Sequence, residues 1–192
     1  ADDDFSKNKS IAELTDWNIY SPVWAPVSLE DQWLKLQDKD PFDYAKVERK
    51  IPASKELKVS FDLKAGQNNK GTLHIEFLDE NGIACSRIEL TDDGIFRLKG
   101  GSRFANMMKY EAGKIYHVEA VLSTVDRNIQ VYVDGKRVGL RMFYAPVAAV
   151  ERIVFRTGVP RTFPTVDTPA DQTYDLPNAG AQDPLAEYGI AN

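Results

Sequence analysis

Hydrophobic and polar residues alternate along much of this chain, which is the pattern of β-strands that bury one face. The longest example runs from Lys114 to Val138. One face of its first half carries Tyr116, Val118, Ala120 and Leu122, and one face of its second half carries Ile129, Val131 and Val133. Asp134-Gly135 follows as a hairpin signal, because glycine tolerates a positive φ. The stretch predicts two long strands and the start of a third.

The same alternation predicts further strands at residues 32–37, 44–49, 57–63, 72–78, 83–90, 95–99 and 149–156. Turn pairs such as Asn81-Gly82 and Asp93-Gly94 separate neighbouring strands. No stretch sustains an apolar repeat of about 3.6 residues, so we expect little helix. Many short strands divided by such turns predict an all-β fold of two packed antiparallel sheets. Residues 1–30 and 100–113 are too irregular to assign.

The end of the chain differs in composition from the rest. Five of the ten prolines, Pro160, Pro164, Pro169, Pro177 and Pro184, lie in this part, where alternation is weak. A segment of this kind cannot build its own core. We therefore predict a β-sandwich domain over residues 1–158 and an extended arm or linker over residues 159–192. The alternative is a frayed tail.

Charge and composition narrow the function classes. The net charge is −5, and the segment after residue 159 has one basic residue against five acidic ones, so the rest of the chain is nearly neutral. Nucleic-acid binders usually carry a strongly basic stripe, so a nucleic-acid partner is disfavoured. No apolar run approaches the roughly 18 residues of a membrane span. The single cysteine, Cys85, excludes an internal disulfide.

Two segments resemble a known family of folds. Tyr116-His-Val-Glu119 and Ile129-Gln-Val-Tyr-Val-Asp-Gly-Lys-Arg-Val138 resemble paired strands of concanavalin A-like and laminin-G-like jelly rolls. The beginning of the chain and the segment 174–180 look like parts of modules appended to polysaccharide-degrading enzymes of Bacteroidetes. The resemblance implies a jelly-roll, non-catalytic accessory module of a carbohydrate-active enzyme that is secreted, periplasmic or on the cell surface. Such a module binds or presents a polysaccharide, acidic ones included.

Two other functions stay open. One is a purely structural domain that docks to a catalytic domain in the same natural chain. The other is a jelly-roll polysaccharide lyase or glycosidase, with Tyr110 and His74 or His117 in the catalytic roles. Hydrolases of the resembled superfamily carry a Glu-x-Asp-x-Glu strand and its alginate lyases a Gln-x-His strand. Neither motif is present in this sequence, which disfavours an enzyme.

A basic stretch is the candidate sugar site. Its members lie in or between consecutive predicted strands: Arg87, Arg97, Lys99, Arg103, Lys109 and Tyr110. Guanidinium groups beside an aromatic ring suit an acidic sugar, because they bind its carboxylate while the ring stacks below. The alternative is a solvated basic edge that prevents aggregation. Trp24, Trp33 and Tyr44 could also stack on a sugar, although we expect two of these three to point inward.

Both histidines precede a glutamate by two residues, in His74-Ile-Glu76 and His117-Val-Glu119. Positions two apart share one face of a strand. If the two strands are neighbours, the four side chains could bind a divalent metal or perform acid–base chemistry. The alternative places both pairs on ordinary wet faces of separate strands.

Acidic residues also cluster in two loops. Asp38, Asp40 and Asp43 form one group, and Asp2, Asp3 and Asp4 form the other. Calcium prefers several oxygen ligands, and a structural calcium ion is therefore a possible cofactor. Aspartate is equally common in turns because it caps them.

Overall fold

The computed structural model describes residues 3–40, 43–158 and 185–191. Two short 3₁₀ helices, Phe5–Lys7 and Ile11–Glu13, precede the strands. Fourteen strands follow in chain order: β1 Trp17–Tyr20, β2 Val27–Glu30, β3 Trp33–Asp38, β4 Lys46–Ser54, β5 Glu56–Ala65, β6 Leu73–Leu78, β7 Ala84–Leu90, β8 Ile95–Gly100, β9 Arg103–Lys109, β10 Ile115–Ser123, β11 Asn128–Val133, β12 Lys136–Met142, β13 Val150–Thr157 and β14 Ala186–Ala191.

The strands form two antiparallel sheets of seven. Sheet A has the order β1-β4-β13-β6-β7-β8-β9, and sheet B has the order β12-β11-β10-β5-β14-β3-β2. The chain passes repeatedly from one sheet to the other, and the inner faces of the two sheets enclose the core. The all-β, two-sheet jelly-roll sandwich predicted from the alternation is confirmed. Neither 3₁₀ helix of the described residues has the length and apolar character to span a membrane.

The predicted hairpin lies in the centre of sheet B. β10 pairs with β5 so that Val118 lies opposite Phe61, and it pairs with β11 so that Ala120 lies opposite Val131. All four of these side chains are buried. Asp134 and Gly135 both have positive φ, as the Asp-Gly signal predicts for a tight hairpin turn. The period-two pattern therefore gives the register of this part of the core.

Three strands lie where the sequence pattern was too irregular to assign. β1 and β2 fall within residues 1–30, and β9 falls within residues 100–113. The turn between β2 and β3 uses Asp31 and Gln32, with φ values of 51° and 68° and no glycine. A turn signal based on glycine cannot find this hairpin. β9 is an edge strand whose residues are half-buried or exposed, so it lacks a clear apolar face.

The predicted arm is wrong at its end. β14 lies between β5 and β3, within sheet B, and contributes Ala186, Tyr188 and Ile190 to the core. Gly189 faces outward with the ring of Trp33 so close that an added Cβ would lie 2.9 Å from the ring. This glycine interrupts the hydrophobic signal of a six-residue strand, because a bulky residue cannot fit there. Residues 159–184, the larger part of the predicted arm, lie outside the described residues.

A buried polar contact joins the two sheets. The Thr157 hydroxyl of β13 donates to Asp38 Oδ2 of β3 over 2.7 Å, and it accepts the backbone N–H of Ala45 over 2.9 Å. Asp38 also accepts the backbone N–H of Asp40 over 3.2 Å. The Asp38 carboxylate, which is 1% exposed, therefore serves as a structural link between the sheets.

Candidate functional site

The outer face of sheet A carries two rows of side chains, each with one member from all seven strands. Strand pairing aligns the first row as Phe104, Lys99, Arg87, Glu76, Val154, Glu48 and Asn18. It aligns the second as Asn106, Arg97, Glu89, His74, Arg156, Lys46 and Tyr20. Four of the six predicted site residues, His74, Glu76, Arg87 and Arg97, therefore lie side by side on this face.

Ion pairs run between neighbouring strands within each row. Arg87 Nε donates to Glu76 Oε1 over 2.7 Å, and Arg97 Nε donates to Glu89 Oε2 over 2.8 Å. His74 Nε2 lies 3.0 Å from Glu89 Oε1. Both guanidinium groups are therefore already neutralised by a carboxylate. Arg87 is also poorly accessible, with 15% of its side chain exposed, whereas 34% of the Arg97 side chain is exposed.

Lys99 is the cation that this network leaves without a carboxylate. Its Nζ lies 4.6 Å from the centre of the Tyr144 ring and 5.6 Å from the centre of the Phe104 ring. Among the residues that the structure describes, no carboxylate lies within ion-pair distance of Lys99. The Arg97 guanidinium stacks on the same Phe104 ring at 4.6 Å. Two cations thus flank Phe104, which is itself 39% exposed.

Tyr144 completes this corner of the face. Its backbone N–H donates to the carbonyl of Cys85 over 3.0 Å, which holds the segment after β12 against the start of β7. Burial raises the pKa of Tyr144 to about 12, so its phenol is neutral at pH 7. We use the name Lys99 corner for Arg97, Lys99, Phe104, Asn106 and Tyr144.

The charges around the corner do not cancel. Arg87, Arg97 and Lys99 supply three cations, and Glu76 and Glu89 supply two carboxylates. His74 adds no charge at pH 7, because burial lowers its pKa. Burial raises the pKa of Glu89, but the hydrogen bond with His74 and the hydrogen bond and charge of Arg97 outweigh it and hold that pKa below its usual value. One positive charge remains, beside an exposed aromatic ring.

His74 gives a test of this electrostatic arrangement. Below pH 6.5, the ordinary pKa of histidine, the unfolded chain binds a proton that the folded chain rejects, because the folded pKa is lowered. We expect the free energy of unfolding to fall as the pH drops from 7.5 to 5.5, by at most about 1.4 kcal/mol, because only one pH unit of this range lies below the unfolded pKa. His74→Gln should remove this part of the decline. Urea unfolding at both pH values measures it.

His117→Gln is the matched control for this experiment. His117 lies on sheet B with 55% of its side chain exposed, and its Nδ1 lies 2.8 Å from Asp62 Oδ1. The free energy of unfolding of His117→Gln should still fall between pH 7.5 and 5.5, because this variant keeps His74. If wild type and His74→Gln lose the same free energy between the two pH values, burial of a neutral His74 is wrong.

The structure places two of the predicted sugar contacts, Tyr110 and Arg103, apart from the other four. Tyr110 is 2% exposed, packs edge-on against Phe96 and donates its hydroxyl to the carbonyl of Thr91 over 2.7 Å. Arg103 is exposed, but it precedes Phe104 on β9 and therefore falls on the other side of that strand. The aromatic partner of the Arg97 guanidinium is Phe104, two strand positions from Asn106. Because β9 lacks a clear apolar face, its sequence carries no period-two signal that could have found Phe104.

The three aromatic candidates for stacking also differ from expectation. None of Trp24, Trp33 and Tyr44 is buried, although two were expected to be. Trp24 is 60% exposed, Trp33 covers Gly189 on the outside of sheet B, and Tyr44 packs against Tyr20. The aromatic side chains that point into the core are others, such as Phe61 and Phe155, whose ring centres lie 5.0 Å apart in an edge-on arrangement.

The two histidines do not meet. β6 of sheet A carries His74 and β10 of sheet B carries His117, so the shared metal or acid–base site is wrong. Within the described ranges, no group of three or more histidine, cysteine or acidic side chains could hold a metal ion. Asp43 accepts the backbone N–H of Tyr44 over 2.9 Å, as turn aspartates do. Asp2 and residues 41–42 lie outside the described residues.

A cavity of about 440 Å³ opens elsewhere, between the two sheets. Its lining is mainly apolar and includes Trp17, Leu57, Val59 and Phe155. At its mouth Arg49 Nε donates to Asp3 over 2.8 Å, and the buried Trp17 Nε1 of the lining has no hydrogen-bond partner among the described residues. A sugar that enters such a cavity would exchange most of its hydrogen bonds to water for apolar contacts. The Lys99 corner is therefore the better candidate for a polar ligand.

Comparison with known proteins gives a family match. The family model for the sialidase-like domain described as a carbohydrate-binding module (CBM) matches residues 17–172. A solved structure described as a sialidase is 87% identical, with a TM-score of 0.91 over 100% of this chain. The chain spans only 18% of the length of that sialidase. No curated protein matches significantly.

More distant structures share the fold alone. The carbohydrate-binding module CBM66 from Bacillus subtilis has a TM-score of 0.54 at 10% identity, with 92% of each chain covered. The alginate lyase AlgAT5 of polysaccharide lyase family 7 has a TM-score of 0.57 at 14% identity, with 94% of this chain and 93% of the lyase covered. Binding modules and enzymes both use this sandwich, so function has to be argued from the site.

Proposed function

The chain belongs to the family of sialidase-like carbohydrate-binding modules, and from that premise we propose that it binds an acidic glycan at the Lys99 corner. The resemblance to jelly-roll accessory modules implied a carbohydrate-binding function, and the family match confirms that prediction. The choice of acidic sugars and of this corner is the proposal.

The observation that carries the proposal is the unpaired Lys99 ammonium beside an exposed aromatic ring. A sugar carboxylate needs a cation that no protein carboxylate has already taken, and Lys99 meets this condition among the described residues. The apolar face of a sugar ring can stack on Phe104, which is exposed and held between Lys99 and Arg97. Asn106, exposed in the neighbouring row, offers an amide for sugar hydroxyls.

Partial burial makes the lysine more effective. Lys99 is half-buried between two rings, so its field is less screened by water than that of a fully exposed lysine. The neighbouring arginines are held in ion pairs and keep their positions when a ligand arrives. The corner is therefore preorganised, and little side-chain entropy is lost on binding.

The 87% identical structure suggests which acidic sugar to test first. That protein is described as a sialidase, and sialic acid carries a carboxylate at pH 7. We propose that this module accompanies a sialidase catalytic domain and presents sialylated glycans to it outside the cell or in the periplasm. Uronate-containing chains have the same carboxylate chemistry and are the second ligand class to test.

The geometry does not favour the alternative of a lyase. Its proposed residues lie apart, since Tyr110 is buried against Phe96, His74 is buried on sheet A and His117 lies on sheet B. A general base must lie within hydrogen-bond reach of its substrate. In this account the module supplies binding, and the chemistry belongs to a partner domain.

Phe104→Ala tests the corner directly. Stacking on an aromatic ring contributes about 0.5–1.5 kcal/mol beyond area burial, so we expect up to about a tenfold loss of affinity for sialyllactose. Calorimetric titration of both proteins measures the change. Tyr132→Ala, on the outer face of sheet B, is the matched aromatic control and should bind as wild type does. If both variants keep wild-type affinity for a ligand that the module does bind, the Lys99 corner is not the site.

A further inference from the structure

A second aromatic platform lies at the opposite end of the same face. Tyr20 stacks against Tyr44 with ring centres 5.0 Å apart, and the Arg156 guanidinium lies 4.2 Å from the centre of the Tyr44 ring. Tyr20 is 47% exposed. Tyr20 thus presents an exposed ring that rests on a second ring in contact with a guanidinium, and its hydroxyl donates to Asp43 Oδ1 over 3.4 Å.

Paired strands hold Tyr20 and Arg156 of this platform in register, whereas Tyr44 lies two residues before the start of β4. Tyr20 of β1 pairs with Lys46 of β4, and Lys46 pairs with Arg156 of β13. Lys46 Nζ is further fixed by Glu48 Oε2 at 2.7 Å. Sites on paired strands are more precise than sites on loops, so Tyr20 and Arg156 hold their positions before any ligand arrives.

Its distance from the Lys99 corner follows from the pairing. Tyr20 and Asn106 end the same row, with five strands between them. Six strand spacings of about 4.8 Å separate the two ends by about 29 Å. A disaccharide or trisaccharide is too short to reach both ends of this face.

We propose that the Tyr20 platform, made of Tyr20, Tyr44 and Arg156, is a second glycan-contact site. This inference rests on the proposed function, and it adds that the module recognises glycan presented at two points about 29 Å apart. The two points can lie on one long chain or on neighbouring short chains of a dense glycan coat. When both sites are occupied, the second contact is made within one complex and increases the total affinity.

Multivalent ligands separate this inference from the first proposal. Sialyllactose is the single-site probe, polysialic acid is the long chain, and a surface coated densely with sialyllactose is the clustered form. We expect wild type to bind one of the two multivalent forms at least about tenfold more tightly than free sialyllactose. Tyr20→Ala should remove most of that gain while leaving the affinity for free sialyllactose unchanged.

Phe104→Ala and Tyr132→Ala complete the design. Phe104→Ala should weaken both free and multivalent binding, and Tyr132→Ala should change neither. If Tyr20→Ala binds both multivalent forms as tightly as wild type does, the second site is wrong while the Lys99 corner stands. If Phe104→Ala loses nothing but Tyr20→Ala loses free binding, the proposed function has the wrong site and the two-point inference fails with it.

Discussion

A chain that ends at Gly158 is expected not to fold, because it lacks strand β14. That strand pairs with β3 over Ala186–Ile190 and with β5 over Tyr188–Ala191, so its loss breaks sheet B in the middle. The backbone N–H and C=O groups of both neighbours would lose their partners at once. The core would lose Tyr188, which is fully buried, and Ile190, which is 2% exposed.

The energies indicate that this loss is decisive. Truncation of one large buried side chain costs about 3–5 kcal/mol, and a typical domain has only about 5–15 kcal/mol of stability. Far-ultraviolet circular dichroism and urea unfolding of the truncated chain measure the effect. Tyr188→Ala should lower the free energy of unfolding by about 3–5 kcal/mol in the full chain.

Val125→Ala is the control for these measurements. Val125 is 72% exposed, so the substitution should change the free energy of unfolding by less than about 0.5 kcal/mol. A chain of residues 1–158 that unfolds cooperatively with wild-type stability would show that β14 is dispensable. That result would support the sequence-based prediction of a complete domain over residues 1–158 followed by an arm over residues 159–192.

Lys99→Glu should nearly abolish binding of acidic glycan. The substitution removes the attraction between the ammonium and the sugar carboxylate and places a second carboxylate at the same point. Two unit charges about 4 Å apart interact by about 4 kcal/mol at an effective dielectric constant of about 20. We expect affinity for sialyllactose to fall by about 100-fold or more, which is larger than the effect of Phe104→Ala.

Two further variants identify charge as the cause. Lys99→Gln keeps most of the length of the side chain without its charge and should lose less affinity than Lys99→Glu. Lys136→Glu makes the same charge change at an exposed position on β12 of sheet B and should leave binding unchanged. Equal affinity of wild type and Lys99→Glu would remove Lys99 from the site, whatever the result for Phe104.

The sequence predicted the fold well, because the central strands alternate clearly. β5, β10 and β11 bury one face and expose the other, and their register follows from that pattern. β14 was missed because Gly189 and the short length of the strand weaken the signal, although the strand lies inside sheet B, between β5 and β3. Strand order depends on contacts between residues far apart in sequence, and periodicity does not encode these.

The site was predicted in part for a similar physical reason. His74, Glu76, Arg87 and Arg97 lie on one face because each alternates with buried residues on its strand. Cross-strand pairing decides which cation has no carboxylate beside it. Glu76 lies opposite Arg87, and Glu89 lies opposite Arg97. Lys99 was named within the basic stretch, but its isolation from carboxylates became visible only in the folded arrangement.

The central claim is that the module selects sugars by their carboxylate. Calorimetric titration of the full chain with sialyllactose and with lactose, at low ionic strength, tests it most directly because the two ligands differ by the acidic sugar alone. The account predicts measurable binding of sialyllactose, at least about tenfold weaker binding of lactose, and weakening of the sialyllactose affinity as salt is added. Equal affinity for the two ligands, or preference for lactose, would contradict it.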